Sequence, residues 1–248
     1  MPVPYVVAPD AATPKRRPAQ HAETDQNTDT AGTVRFAGLL LVHTALRRDL
    51  LRLPAAIRAL GPRDDAKAEA VARHWQLLVD RLVDYHEYQD AKLWPALRRR
   101  APELRLLVNW LEADHHDLEQ SAAATTTAVL EVTASRVGAW SAAHAVEGFA
   151  IQLHGHLRIE ETQVLPLLRG ALADTEIGSL PDLLRGTGRA LPPSTPDLLA
   201  WLLDSVPQPL ADELLDQCDD SVVRHWPHWR DTYTRISREL WQDQPPTR

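Results

Sequence analysis

The spacing of apolar residues along the chain predicts helices rather than strands. Between Val34 and Leu60, apolar side chains recur every three or four residues, which is the period of one face of an α-helix. These positions are Phe36, Leu39, Leu40, Leu46, Leu50 and Leu53. The strict alternation of apolar and polar residues that is typical of half-buried strands is scarce. We therefore expect an all-α fold.

Three further segments show the same helical spacing. A second helix is predicted over about residues 66–100, after Gly61-Pro62 has ended the first. A third begins near Pro102 and is expected to fade through the β-branched run Thr125-Thr126-Thr127. A fourth is predicted over about residues 135–172. The chain thus contains four long candidate helices in its first 172 residues.

The two ends of the chain have a different character. Residues 1–33 are rich in Pro, Ala, Thr and Asp without apolar periodicity, so we expect a disordered tail. Residues 173–248 are punctuated by prolines, and short helices are expected near 197–204, 210–216 and 220–241. The predicted organisation is a tail (1–33), a helical domain (34–172) and a helical C-terminal extension (173–248).

Charge and cysteine content restrict the function classes. A net charge of -7 disfavours nucleic acid or an anionic membrane as the main partner. No apolar run approaches the ~20 residues that span a bilayer, and the first twenty residues lack the apolar core of a signal peptide. The single cysteine, Cys218, excludes an intrachain disulfide and any site that needs several cysteines. We expect a cytoplasmic protein whose metal ligands, if any, are nitrogen and oxygen atoms.

Histidines fall on the apolar stripes of the predicted helices. His43 lies among the leucines of the first helix, His115 follows Leu111 by four residues, and His156 follows Leu153 by three. A carboxylate comes four residues after a histidine in three pairs, a spacing that puts both side chains on one face of a helix. The pairs are His86–Asp90, His115–Glu119 and His156–Glu160.

An inward-facing carboxylate needs a neutralising partner. Burying an unpaired carboxylate costs several kcal/mol, and several such groups beside histidines are best explained by a bound cation. Bundles of helices commonly hold two metal ions with bridging carboxylates and terminal imidazoles. The pattern therefore indicates a histidine and carboxylate metal centre.

Three motifs resemble the hemerythrin-like, or HHE cation-binding, family over about residues 34–172. They are "VHTALRRDL" around His43, "EADHHDLE" around His115 and "HLRIEETQVLPLL" from His156. The resemblance implies an up-down four-helix bundle with a non-haem di-iron centre, with mixed occupancy by another divalent metal as an alternative. It also implies His43, His115, His156 and Glu160 as ligands. Glu119 takes the position at which oxygen-carrying hemerythrins have a further histidine.

The second helix departs from this pattern. In the fourth helix His156 and Glu160 lie ten and six residues before Pro166, and the same count back from Pro95 reaches Tyr85 and Gln89.

The histidine and carboxylate that are present, His86 and Asp90, stand one residue later, roughly 100° further around the helix. Two arrangements follow. Either His86 and Asp90 bind the metals after a small rotation of the helix, or Tyr85 and Gln89 face them. In the second arrangement one iron site is altered, and Tyr85 becomes a candidate catalytic phenol.

These ligands leave function open between two classes. Carboxylate-rich iron sites favour reaction with oxygen over reversible carriage. The chain is therefore expected to bind or sense O2, peroxide or nitric oxide, or else to be a di-iron oxidase or oxygenase acting on a small molecule, with the extension shaping its pocket. A metal-free helical scaffold is a third alternative. The candidate metal ligands are His43, His86, Asp90, His115, Glu119, His156 and Glu160.

Overall fold

The structure is a computed structural model that describes residues 37–171 and 195–241. Over these two ranges the chain is helical and contains no strand, which confirms the predicted all-α class. Within the same ranges, no helix is both long and apolar enough to cross a lipid bilayer. The predicted disordered tail and the first part of the predicted extension lie outside the described residues.

Nine α-helices follow one another along the described chain, and two of the junctions are π-helical. The helices are α1 (Ala37–Arg58), α2 (Asp65–Tyr88), α3 (Trp94–Arg100), α4 (Arg105–Ser135), α5 (Ala139–Ile159), α6 (Leu165–Ala171), α7 (Thr195–Leu203), α8 (Gln208–Leu215) and α9 (Asp220–Trp241). The π-helical turn Gln89–Leu93 joins α2 to α3, and the turn Glu160–Val164 joins α5 to α6. A short 3-10 turn, Pro102–Leu104, precedes α4.

Helix α4 does not fade at its three threonines, so that expectation is wrong. The helix continues to Ser135 and ends where Arg136 takes a left-handed backbone conformation with φ 62°. The three threonine hydroxyls donate hydrogen bonds to carbonyl oxygens four residues earlier in the same helix. Their polar atoms are thus satisfied without leaving the helix, and Trp75 of α2 donates a further hydrogen bond to Thr126.

Helices α1, α2, α4 and α5 pack around a shared apolar core in a closed ring. Contacts link α1 with α5, α5 with α4, α4 with α2, and α2 with α1. Side-chain pairs fix antiparallel directions, because low residue numbers in one helix meet high numbers in the other. These pairs are Arg58–Glu147 and His43–Glu161 for α1 with α5 and the turn that follows it, and Arg136–Asp65 and Trp75–Thr126 for α4 and its C-terminal cap with α2.

One buried carboxylate ties helix α7 to this ring. Asp49 of α1 is fully buried and accepts hydrogen bonds from Arg48, from His74 Nε2 (2.9 Å) and from Trp201 Nε1 (2.8 Å). Arg48 also donates to the backbone carbonyl oxygens of Trp201 and Asp204. Asp49 therefore joins α1, α2 and α7 through charged hydrogen bonds, which are the strongest kind in proteins.

Replacing Asp49 by asparagine should destabilise the protein. The change keeps the side-chain volume but removes the nearer counter-charge of the buried Arg48 guanidinium, which then keeps only Asp204 at 3.6 Å. Removing one partner of a buried ion pair typically costs roughly 3–5 kcal/mol, so the free energy of unfolding in urea, followed by circular dichroism, should fall by that amount. Asp80→Asn is the matched control, because Asp80 is exposed on α2, and it should change stability by less than about 0.5 kcal/mol.

The same carboxylate should make stability dependent on acid. Burial alone would raise the pKa of Asp49, but His74 and Arg48 hold it well below its usual range. Because the folded pKa is the lower one, the stabilisation is complete above the unfolded pKa of about 3.9 and is lost as the pH falls below it. Urea midpoints measured from pH 6 to pH 3 should fall less in Asp49→Asn than in the unmodified protein. Parallel acid profiles would contradict this role of Asp49.

Candidate metal centre

Four histidines and one glutamate meet inside the ring of helices. His43 comes from α1, His86 from α2, His115 from α4 and His156 from α5, while Glu160 begins the π-helical turn after α5. All five side chains are buried, with relative exposures of 0–2%. Histidine and glutamate are seldom buried together unless they are paired or bind a metal. The cluster is therefore the strongest candidate site in the described part of the chain.

Three of these histidines form a group that fits a metal ion. His86, His115 and His156 each offer a ring nitrogen, and these atoms lie within 4.8 Å of one another. Within the described residues, both nitrogens of His86 and Nε2 of His115 lack a hydrogen-bond partner. A buried polar atom left without a partner costs roughly 1–3 kcal/mol. A cation bound by these nitrogens would remove that cost, so the donor set fits a metal.

Burial keeps two of these rings neutral. It lowers the pKa of His86 to about 2, and the neighbouring His115 and His156 act in the same direction. Burial likewise lowers the pKa of His115, with His156 as the next contributor. A neutral imidazole has a lone pair on one nitrogen, which is the form in which histidine binds metals.

Carboxylates lie behind two of the rings. Nδ1 of His156 lies 2.8 Å from Asp114 Oδ2, and Nδ1 of His115 lies 3.0 Å from Asp90 Oδ1. Nε2 of His156 is 3.2 Å from Glu160 Oε1. A carboxylate behind the outer nitrogen of a histidine is the usual support for a metal ligand, because it sets the tautomer and the direction of the ring.

The fourth histidine lies in a different environment. Nδ1 of His43 is 2.7 Å from Glu161 Oε1, and its Nε2 is 2.7 Å from Tyr85 Oη and 3.0 Å from Glu160 Oε2. Tyr85 Oη donates to Glu160 Oε2 at 3.0 Å, and Gln89 Nε2 donates to both Tyr85 Oη (2.9 Å) and Glu160 Oε1 (2.6 Å). Burial and the charge of Glu160 raise the pKa of Tyr85 well above its usual value, so the phenol keeps its proton.

The structure of the second helix combines parts of both expected arrangements, His86 with Asp90 and Tyr85 with Gln89. Tyr85, His86 and Gln89 are all buried, so both members of the neighbouring pair reach the interior. They do so because Tyr85 and His86 stand on either side of Leu82, which is also buried in the core. The side chain of Asp90 is 43% exposed and lies beside His115. The structure thus places this predicted ligand behind a histidine rather than at the centre.

The predicted ligand Glu119 lies outside the cluster. It is exposed and lines a surface groove between α2 and α4. The buried stripe of α4 advances by three residues from His115 to Leu118, and then by four to Ala122. The inward position after His115 is therefore Leu118, and a residue four positions on falls to the flank. The assignment of Glu119 from the four-residue spacing is corrected by this register.

Two prolines explain why α2 and α5 present their polar residues in the same way. Each π-helical turn ends two residues before a proline, at Leu93 before Pro95 and at Val164 before Pro166. Proline lacks an N–H donor, and its ring clashes with the carbonyl four residues earlier in an α-helix. A turn widened by one residue avoids this clash. Because both helices contain it, Gln89 and Glu160 occupy corresponding places.

Some residues around the cluster were not identified as site residues by sequence reasoning. Asp114 supports His156 from a position 42 residues away in the chain, and only the packing of α4 on α5 brings them together. Glu161 contacts both His43 and Arg47 of α1. Its position directly after Glu160 did not indicate whether it would face α1 or water.

The comparisons with known proteins agree with this geometry. The family model of the hemerythrin HHE cation-binding domain matches residues 36–180, which is more than half of the 248-residue chain. No curated protein and no solved structure matches the chain. The family match and the buried histidine group lead to one conclusion: the chain belongs to the hemerythrin HHE cation-binding domain family.

Proposed function

We propose that this protein is an up-down four-helix bundle of the hemerythrin-like class that holds non-haem iron and binds or reacts with O2, peroxide or nitric oxide. The observation that carries the proposal is the buried group of His86, His115 and His156, whose ring nitrogens converge within 4.8 Å. Nitrogen and carboxylate donors suit several divalent metals. Membership of a cation-binding family whose members typically hold iron favours iron among them.

Some residues would bind the ion directly, and others would orient these ligands. The three imidazoles supply nitrogen donors, and Glu160 supplies a buried anionic oxygen 3.2 Å from His156 Nε2. Asp90 and Asp114 orient two of the rings from behind. Iron held there would exchange electrons with a small oxidant, while the apolar core around the centre excludes bulk water.

A groove offers a route for a small ligand. It has a volume of about 320 Å³ and lies between α4 and α5, with Trp110 and Gln152 among its walls. His156 and Asp114 also line it, so the groove reaches a residue of the histidine group. A diatomic ligand or peroxide is small enough to enter a space of this size. This supports a small-molecule ligand rather than a macromolecular one.

Removing one histidine of the group should abolish iron binding. In His115→Ala the group loses a buried nitrogen donor, so we expect less than about a tenth of the iron that the unmodified protein binds. Iron per chain is measured by plasma mass spectrometry after anaerobic loading and gel filtration. His116→Ala is the matched control, because His116 is the exposed neighbour and contacts Gln120.

Retained iron in His115→Ala would show that the ligand assignment is wrong. An unmodified protein that binds well under one iron per chain would contradict the proposed function itself. The metal-free scaffold would then be the better account of the fold.

A second candidate function is an oxidase or oxygenase that acts on a small molecule. The observation that favours it is the protonated Tyr85 hydroxyl, which is buried at the edge of the centre, 3.0 Å from Glu160 Oε2. Stopped-flow spectroscopy separates the two functions. A stable oxygen adduct that reverses under argon favours binding, and rapid irreversible oxidation coupled to consumption of a co-substrate favours the enzyme.

In the enzyme, Tyr85→Phe tests the role of the hydroxyl. Loss of a positioned proton donor typically slows a reaction by about 10²-fold or more, and we expect that loss in turnover with iron content unchanged. Turnover within about twofold of the unmodified protein would remove Tyr85 from the mechanism.

A further inference from the structure

The centre has two unequal halves, and only one has the donors for a metal. We infer that the protein holds a single metal ion, at His86, His115, His156 and Glu160. In this proposal a hydrogen-bonded network of His43, Tyr85 and Gln89 occupies the place of a second ion. The inference rests on the proposed function, since it requires that the centre binds a cation. It departs from the two-iron centre that the sequence resemblance implies.

The first observation is how the ring nitrogens are used. Over residues 37–171 and 195–241, both nitrogens of His86 and the Nε2 of His115 are without hydrogen-bond partners. In contrast, both nitrogens of His43 lie within 3.0 Å of side-chain oxygens. A metal ion at His43 would have to break these contacts. An ion at the other histidines would satisfy atoms of His86 and His115 that now lack a partner, and it would replace only the longer 3.2 Å contact between His156 Nε2 and Glu160.

The second observation is the chemistry of the corresponding positions in α2 and α5. Both helices carry the same π-helical turn before a proline. In α5 this geometry presents an imidazole and a carboxylate, His156 and Glu160, and in α2 it presents a phenol and an amide, Tyr85 and Gln89. A neutral amide bridges two cations poorly, because it brings no negative charge. The half of the centre that contains Tyr85 and Gln89 therefore lacks the imidazole and the carboxylate that would bind a second ion.

The third observation is that the network is already satisfied. The Tyr85 hydroxyl contacts His43, Gln89 and Glu160 at 2.7–3.0 Å, which uses its donor and both of its acceptor sites. The Gln89 amide also donates to Glu160 Oε1 at 2.6 Å. Side chains linked in this way form a fixed, hydrogen-bonded wall on one side of Glu160.

The fourth observation is the position of His86. It stands next to Tyr85 in sequence, yet its ring stacks on that of His115 with centroids 3.8 Å apart. It thus adds a third imidazole to the half that already contains His115 and His156. Three histidines and one carboxylate make four protein ligands, which is a sufficient set for one ion.

The number of bound ions tests the inference. Full-length protein is loaded with ferrous iron under argon, and in parallel with cobalt(II), then gel-filtered and analysed for metal per chain. We expect about one ion per chain for the unmodified protein. Two ions per chain would overturn the inference and leave the proposed function standing, and well under one would overturn both.

Restoring the missing donors provides the complementary experiment. The double variant Tyr85→His and Gln89→Glu gives α2 the imidazole and carboxylate that α5 already has, so it should bind about two ions per chain. Cobalt(II) electron paramagnetic resonance should then change from the signal of an isolated ion to the weakened signal of a coupled pair. A count of one in the double variant would overturn the role assigned to Tyr85 and Gln89.

Two single variants keep the test decisive if the double variant does not fold. His43→Ala should keep its single ion, since His43 belongs to the network. His86→Ala should bind metal at least about 100-fold more weakly, measured by calorimetry, because it loses a donor. A loss of metal in His43→Ala, or undiminished affinity in His86→Ala, would contradict the single-ion site.

Discussion

The buried carboxylate of Glu160, which is 1% exposed, determines how the interior of this protein is arranged. Burial alone would raise the pKa of Glu160, but hydrogen bonds with His156 and His43 hold it well below its usual range. The ionised carboxylate has to be surrounded by groups that donate to it or by a cation. On one side Tyr85 and Gln89 donate hydrogen bonds. On the other side stand imidazoles, and there a metal ion is the natural partner.

Much of the fold was predictable because the apolar spacing is strong. Leu46, Leu50 and Leu53 were expected on the inward face of the first helix, and all three are buried. The four central histidines could be found in the same way, because each stands in an apolar stripe. The count from the prolines also identified Tyr85 and Gln89, since the same widened turn precedes Pro95 and Pro166.

The details that sequence could not supply depend on neighbouring helices. Helical spacing places Glu119 roughly 40° around the helix from His115, so spacing alone allows it to face the centre. Only the register of α4 against α2 shows that Glu119 faces water. Asp90 and Asp114 support histidines across helix interfaces. The hydrogen bonds of Asp49 join segments up to 152 residues apart. Such partners leave no trace in local periodicity, because either side of a helix can become the interface.

Helix α1 shows that a family boundary need not be a folding boundary. It contacts α2 and α5 of the family domain and also α7 and α9 of the C-terminal extension, and Arg48 and Asp49 are buried where these elements meet. Without α7, this ion pair would lose the tryptophan that closes it from water. We therefore expect the described part of the extension to unfold together with the central helices. Loss of the C-terminal helices would therefore disturb the packing of α1, the helix that supplies His43.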